Sequence, residues 1–482
     1  MQKCKPLLLT LAVLQLLCAM SCGNSAENES SNAETTTGSE TSAETEFVPE
    51  FPQLNFEGKE ILFLTVDNAT HPQYASREIY AETYNGELIN DAVYDRNLKV
   101  ETMYNVKIRE EKMVDTDKVT SSSILAGEDR YDVVLPYLNA SMSLAMQGLY
   151  QNLNDIEYLQ LENPWWDQRA NESLTVNNQL FFTTGDISIL DNECTMVLFF
   201  CKQLITDYSL ESPYDLVKNG QWTLDKMFEM AFSVTSDLNG DGELKLEDDR
   251  FGFFCAGNSP ISLYHATGEK IVDHNDKGGL EITMGSERSV EALQKILTYC
   301  TNDLNLTTTQ RTSVTFGPFM NKQILFAGWA LTDISSVRDS QYDFGLLPSP
   351  KFDENQESYS CLISTGLVPG VSIPVTSVDP EMAGAVLEAI AYYSQDTLTK
   401  AYYDVTLTNK YFRDEESGDM LDIIFANRTY DIGYIMNVGN LSSIPQNLLN
   451  AKSTDVVSKI TEQLTAAQAD LDKFVAEFTA DN

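Results

Sequence analysis

Ile61, Leu62, Phe63, Leu64 and Val66 form an almost unbroken apolar run that Asp67 and Asn68 close. A run without polar alternation suits a strand covered on both faces. Ile89, Val93, Val100 and Tyr104 then recur at helical spacing behind Asn90, a residue able to cap, so the pattern predicts a helix over 92–104. Residues 106–109 read as a short strand and 119–126 as a second helix stopped by Gly127. Residues 131–135 read as another buried strand, broken by Pro136. Strand and helix alternate here as in βαβ units, whose parallel sheet is covered on both faces.

A different stretch begins at Gly185. Residues 196–200 are apolar, a helix follows Trp222 and Thr223, an acidic glycine-rich loop comes next, and 289–299 read as another helix. Residues 324–330 predict a strand carrying Trp329. Around 366–374 the βα pattern returns, with a helix over 380–393. In the last helix Ile460, Leu464, Ala467, Leu471, Phe474 and Phe478 share one face. No internal repeat is visible.

The N-terminus has another character. Lys3 and Lys5 precede an apolar run over 7–17, then Ala19, Met20 and Ser21 lead to Cys22. That is the order of a secretory signal, and the run is shorter than the roughly 20 residues that span a bilayer. Residues 1–21 are therefore expected to be a signal peptide. The Ala-Met-Ser-Cys ending resembles a bacterial lipobox, which makes Cys22 the expected site of lipidation and the new N-terminus. Residues 23–50 hold Ser, Thr, Asn, Ala and Glu without Lys or Arg, a composition that cannot bury a core. Residues 22–50 thus read as a lipidated cysteine and an acidic tether with a span of about 30 Å.

A formal net charge of −40 repels phosphate backbones, so nucleic acid is excluded as a partner. Cys194, Cys201, Cys255, Cys300 and Cys361 remain beyond the leader, an odd number without CxxC spacing, and the three histidines lie far apart. Zinc is disfavoured. Motifs of serine hydrolases, zinc peptidases and nucleotide-binding loops are missing from the sequence.

One loop does carry metal-ligand spacing. In 237–248, oxygen side chains fall at Asp237, Asn239, Asp241, Glu243 and Asp248, with Gly242 at the sharp turn. This spacing resembles an EF-hand and predicts a structural Ca²⁺; the alternative is a solvated acidic turn.

The string NGELINDAVYDRNLKVETMYNVKI from residue 85 is followed in order by NPWWDQ at 163, GDIS at 185, PYDLVKNGQWTLDKM at 213, DLNGDGELKLEDDRFGF at 237, FGLLPSPKFDENQESY at 344 and YYDVTLTNKYFRDEES at 402. Together they resemble the extracellular solute-binding proteins of family 1, the maltose-binding-protein-like carbohydrate binders of ABC importers. One departure is Phe200-Cys201-Lys202, where similar proteins carry Phe-Asn-Lys. The resemblance implies an α/β, periplasmic-binding-protein type II fold, with two lobes, several crossovers and a ligand cleft. Lobes over 51–185 plus 362–395 and over 186–361 plus 396–482 follow from it. So do a carbohydrate ligand, ABC permease subunits as partners, a monomeric state and an extracytoplasmic place on the outer face of the membrane.

Ligands of open α/β sheets bind beyond the carboxyl ends of the strands, which directs attention to Asp67, Tyr137 and Asp186. Indole stacks on the C–H faces of sugar rings, so Trp329, Trp165 and Trp166 are the aromatic candidates, while Trp222 opens a helix and reads as packing. A glycan-degrading lipoprotein, needing only two carboxylates, and a surface glycan-capture or sensor protein without importer are the rival readings.

Overall fold

β1 (Lys59–Val66) has both edges occupied. It pairs in parallel with β2 (Val106–Met113), Lys59 opposite Val106, and on its other edge with β3 (Val133–Val134). β2 runs past the expected 109 because its edge position lets Arg109, Glu111 and Lys112 stay partly exposed while the backbone ladder continues to Met113. The intervening helix Leu88–Tyr104 starts earlier than the pattern predicts. Its cap is Glu87, whose carboxylate accepts from Asn90 N at 2.8 Å, while the Asn90 side chain donates to Thr83 O. The computed structural model describes residues 49–246, 248–255, 258–304, 306–307, 316–404 and 416–479.

The second sheet uses β4 (Met196–Cys201), β5 (Phe251–Cys255), β8 (Leu306–Thr307), β9 (Ile324–Ala330) and β10 (Phe344–Leu347), in the order β10-β4-β9-β5-β8. A hairpin of β6 (Val272–His274) and β7 (Leu280–Ile282) lies between β5 and β8 in the chain. β9 is central: antiparallel to β4 and parallel to β5. The helix Leu224–Val234, capped by Thr223, packs so closely on β5 that a Cβ at Gly252 would sit 1.7 Å from Ala231 O.

The chain then returns. Residues 369–374 bridge back to Val134, Tyr150 and Thr183, and the helix Pro380–Ser394 packs on Leu88–Tyr104. Leu398 and Tyr402 share a cluster with Ala81, Ile89, Val93 and Ile189. After Ser394 the chain goes on through a π-helical step, Gln395–Thr399. A further crossing pairs β11 (Cys361–Leu362) in parallel with β12 (Arg428–Thr429). The final helix, Val456–Thr479, buries Ile460, Ala467, Leu471, Phe474 and Phe478 as its pattern predicts, and the Phe478 ring meets Phe181 edge-on at 4.9 Å. Phe51–Asn482 cluster as one compact unit. No helix among the described residues is long and apolar enough to cross a membrane. Cys22 and the signal and tether residues up to 48 lie outside the described residues.

Candidate functional site

Loops leaving the carboxyl ends of β1, β3 and β9 meet at one place. After β1 the chain turns through Pro72–Tyr74, and the Tyr74 hydroxyl donates to Asp333 Oδ1 at 3.4 Å. Asp333 sits in the turn Leu331–Asp333 after β9, where its other oxygen accepts from Ala330 N at 3.1 Å and fixes the carboxylate. Tyr137, first residue beyond Pro136, donates its hydroxyl to Tyr74 O at 3.2 Å. Burial, with a smaller opposing hydrogen bond from Asn68, raises the Tyr137 pKa. Asp67, the residue after β1, is half-buried. Two phenols and the Asp333 carboxylate therefore meet from both sheets. Such a set of edge donors and acceptors can read the hydroxyls of a small polar ligand.

A charged network lies at the crossovers. Arg77 pairs with Glu193, and the wholly buried Glu78 accepts from Arg77 N at 2.6 Å and from the Ser188 hydroxyl at 3.4 Å. Arg428 holds Asp167 at 2.7 Å and Asp191 at 3.2 Å and also donates to Asn192; Tyr430 donates to Asp167 at 2.9 Å. Asp186 accepts from Thr399 at 3.2 Å. Burial, then the charge of Asp191, push the Asp186 carboxyl up to about 7, against the pull of Arg428. Burial pushes Asp191 up to about 6. Three carboxylates around one guanidinium leave an excess of negative charge, which the raised values relieve by protonation.

No protein-family model and no curated protein matches the sequence. Solved structures do. An ABC substrate-binding protein from Listeria monocytogenes in complex with cycloalternan superposes with a TM-score of 0.52 at 14% identity, covering 87% of this chain and 99% of its own. A cyclo/maltodextrin-binding protein complexed with maltotetraose gives 0.55 at 14%, covering 88% and 98%. UspC of M. tuberculosis gives 0.54 at 11%, covering 85% and 100%. The chain has the type II periplasmic-binding-protein fold. At these identities the likeness is one of architecture, two α/β lobes joined by crossovers.

Tyr137 lies against Tyr74, Asp67 follows β1 directly, and Asp186 lies in the charged network. The tryptophans differ from expectation. Trp165 and Trp166 are each 1% exposed, and both indoles donate to Glu388, at 3.0 and 2.8 Å. They clamp the helix Pro380–Ser394 and offer no open face to a sugar. Trp329 is wholly buried between Phe199, Phe254, Phe316 and Phe319, because β9 is central and its side chains meet packed layers. It belongs to the core of the binding-protein fold. Trp222 is core as expected, donating to Pro348 O at 3.0 Å.

Sequence reasoning missed Tyr74 and Arg77, which lie in the loop 67–87 without an element to announce them. The only signal was charge in an otherwise small and apolar stretch, Arg77-Glu78 between Ala75-Ser76 and Ile79.

In the loop 237–248 the Asp237 carboxylate accepts from Gly240 N and Gly242 N, at 2.6 and 2.8 Å. The Lys245 ammonium lies 3.0 Å from Asp241 and 2.6 Å from Glu243, and Asn239 donates to Asp248 at 3.4 Å. Among the described residues no three His, Cys, Asp or Glu side chains converge closely enough to hold a metal. The donors match calcium by type and spacing, but here Asp241 and Glu243 hold the Lys245 ammonium while Asp237 accepts from backbone amides.

A groove of about 960 Å³ lies elsewhere, between 154–180 and the β6–β7 hairpin. Its Gln168, Asn171 and Asn154 amides already donate to backbone carbonyls, and its lining has no aromatic side chain except His274. It lacks a stacking surface of the kind that sugar faces call for.

Proposed function

We propose that this chain is an exported lipoprotein that captures a carbohydrate between its lobes and presents it to the permease subunits of an ABC importer. The observation that carries the reading is the meeting of Tyr74, Tyr137 and Asp333 from strand ends of two sheets, in a fold shared with proteins solved with cycloalternan and maltotetraose. Closure brings the Tyr74 hydroxyl onto Asp333, so ligand and lobe contacts form together. Catalysis is not part of this reading: the acids at the crossovers are held by Arg428, Arg77 and backbone amides. Export and the anchor rest on residues 1–21 and Cys22; with Cys22→Ala the folded protein leaves the membrane fraction, and a variant that stays there refutes the lipid.

Thermal-shift screening of mono- and oligosaccharides tests the ligand class. A sugar at 100 times its dissociation constant adds about 2.7 kcal/mol of stability. Tyr74→Phe removes one hydrogen bond worth about 0.5–1.5 kcal/mol and weakens sugar binding roughly 2- to 10-fold. Amino acids or peptides shifting the melt while no sugar does overturns the assignment.

We propose Ca²⁺ as a structural ligand of Asp237, Asn239, Asp241, Glu243 and Asp248, supported by their spacing. The ion has to displace Lys245, so affinity is weak, on the order of 10⁻³ M. Lys245→Ala then increases the stabilisation by calcium. If chelator and added calcium leave the melts of both wild type and Lys245→Ala unchanged, the loop is an acidic turn.

A further inference from the structure

Arg96, on the helix Leu88–Tyr104, is wholly buried. Its guanidinium goes to neutral acceptors: Nε donates to Asn97 Oδ1 at 3.0 Å, Nη1 to Ser394 Oγ at 3.2 Å and Nη2 to Ile79 O at 3.0 Å. Burial pulls its pKa down to about 10, against the charges of Glu78 and Glu110, and the group stays cationic at neutral pH. Asn97 donates Nδ2 to the same Ile79 O at 2.9 Å. Two neighbouring side chains thus serve both lone pairs of one carbonyl and hold each other in place. A buried charge is costly unless its hydrogen bonds are complete, so what this one holds is informative.

Ile79 lies in the loop 67–87, from which Tyr74, Arg77 and Glu78 act. The same loop is held again at Ser76, whose N donates to Val66 O at 2.9 Å and whose O accepts from Lys112 Nζ at 2.7 Å. Arg77 and Glu78 sit between these two fixings and reach Glu193 and Ser188; Tyr74 lies just before them and reaches Asp333. Ser394, the other acceptor of Arg96, precedes the π-helical step whose Thr399 donates to Asp186. One guanidinium therefore stands behind two segments that meet the strand ends and the charged network.

We propose that Arg96 and Asn97 are positioning residues of the ligand site: by clamping Ile79 O they set the path of 74–79, and with it the aim of Tyr74 at Asp333 and of Arg77 at Glu193. The inference rests on the reading of Tyr74, Tyr137 and Asp333 as the ligand mouth. Both residues are buried and act through the loop. A lysine at 96 keeps the charge, but its point ammonium cannot serve Ile79, Asn97 and Ser394 in the directions of a planar guanidinium.

The test begins with the full-length protein free of sugar, by hydrogen–deuterium exchange and mass spectrometry of wild type, Arg96→Lys and Asn97→Ala. Each variant removes or misaligns a donor to Ile79 O, so exchange in peptides spanning 72–81 should quicken by about 5-fold or more. β5 and the helix Glu287–Cys300 should keep their wild-type rates. Equal acceleration in all of these peptides makes the pair a general stabiliser of the fold and overturns the inference, as does an unchanged rate in 72–81. If Arg96→Lys does not fold, Asn97→Ala decides alone. The same variants are then titrated with each sugar of a glucose, galactose, maltose, cellobiose and xylobiose panel that shifts the wild-type melt. Affinity should fall roughly 3- to 10-fold in Asn97→Ala, and by less when Asn97→Ala is added to Tyr74→Phe, since both act through one contact. An undiminished second drop overturns the aim at Tyr74. Should no sugar bind wild type, the reading of the mouth falls, and the exchange rates still decide whether the clamp sets the loop.

Discussion

Glu388 shows how one side chain can decide the role of its neighbours. Its carboxylate accepts from both indoles of Trp165 and Trp166, from Asn163 Nδ2 at 2.7 Å and from Gln160 N at 3.1 Å. Removing it strands the two buried indole donors and takes a partner from Asn163. Glu388→Ala is expected to cost about 3–5 kcal/mol in denaturant unfolding, with sugar affinity of the folded protein unchanged. A loss of affinity without loss of stability would return the two tryptophans to the ligand. Asp186 carries a pH signature of its own. Its folded pKa of about 7 lies above the usual 3.8, so the neutral acid is the form that folding favours. The stability this contributes is fully present below about pH 4 and lost as pH rises through about 7. Wild type should therefore melt lower at pH 8 than at pH 6, and Asp186→Asn should show a smaller drop. Equal drops would mean that Asp186 does not titrate in this window.

At the scale of elements, the period of apolar residues located β1, β4, β9 and the helix Pro380–Ser394 to within a residue or two, and found the buried face of the last helix. It could not say which way a strand's side chains face, or what covers them. Trp329 is the instructive case. Asp333 does reach Tyr74 beyond the polar stop after the strand, yet Trp329, four residues earlier, points into a layer of phenylalanines. An apolar run buried on both faces has no outward side, so sequence alone gives no means of telling a core aromatic from a ligand platform. Trp329→Ala should accordingly behave as a core deletion, costing about 3–5 kcal/mol. Sugar affinity in the folded fraction should hold; a drop of ten-fold or more would place the indole at the ligand after all. The mouth itself was only half legible. Tyr137 and Asp67 follow strands and could be named, whereas Tyr74 and Arg77 act from a loop whose path depends on contacts with Asp333 and Glu193 in the other half of the chain.

Across the whole molecule, the order of elements and the odd cysteine count could be read from the chain, while the π-helical step Gln395–Thr399 could not, because it interrupts the helical period without ending the packing. Charge acts at this scale too. In a chain of net charge −40, Arg428 and Arg77 each hold buried carboxylates at the crossovers. The contact of Phe478 with Phe181 has a practical consequence. It brings the final helix, which packs on the turn Val438–Ser443, against a ring from the first segment of the chain. A small environment-sensitive dye on exposed Lys473, near the end of that helix, would report whether this packing changes when a sugar is added.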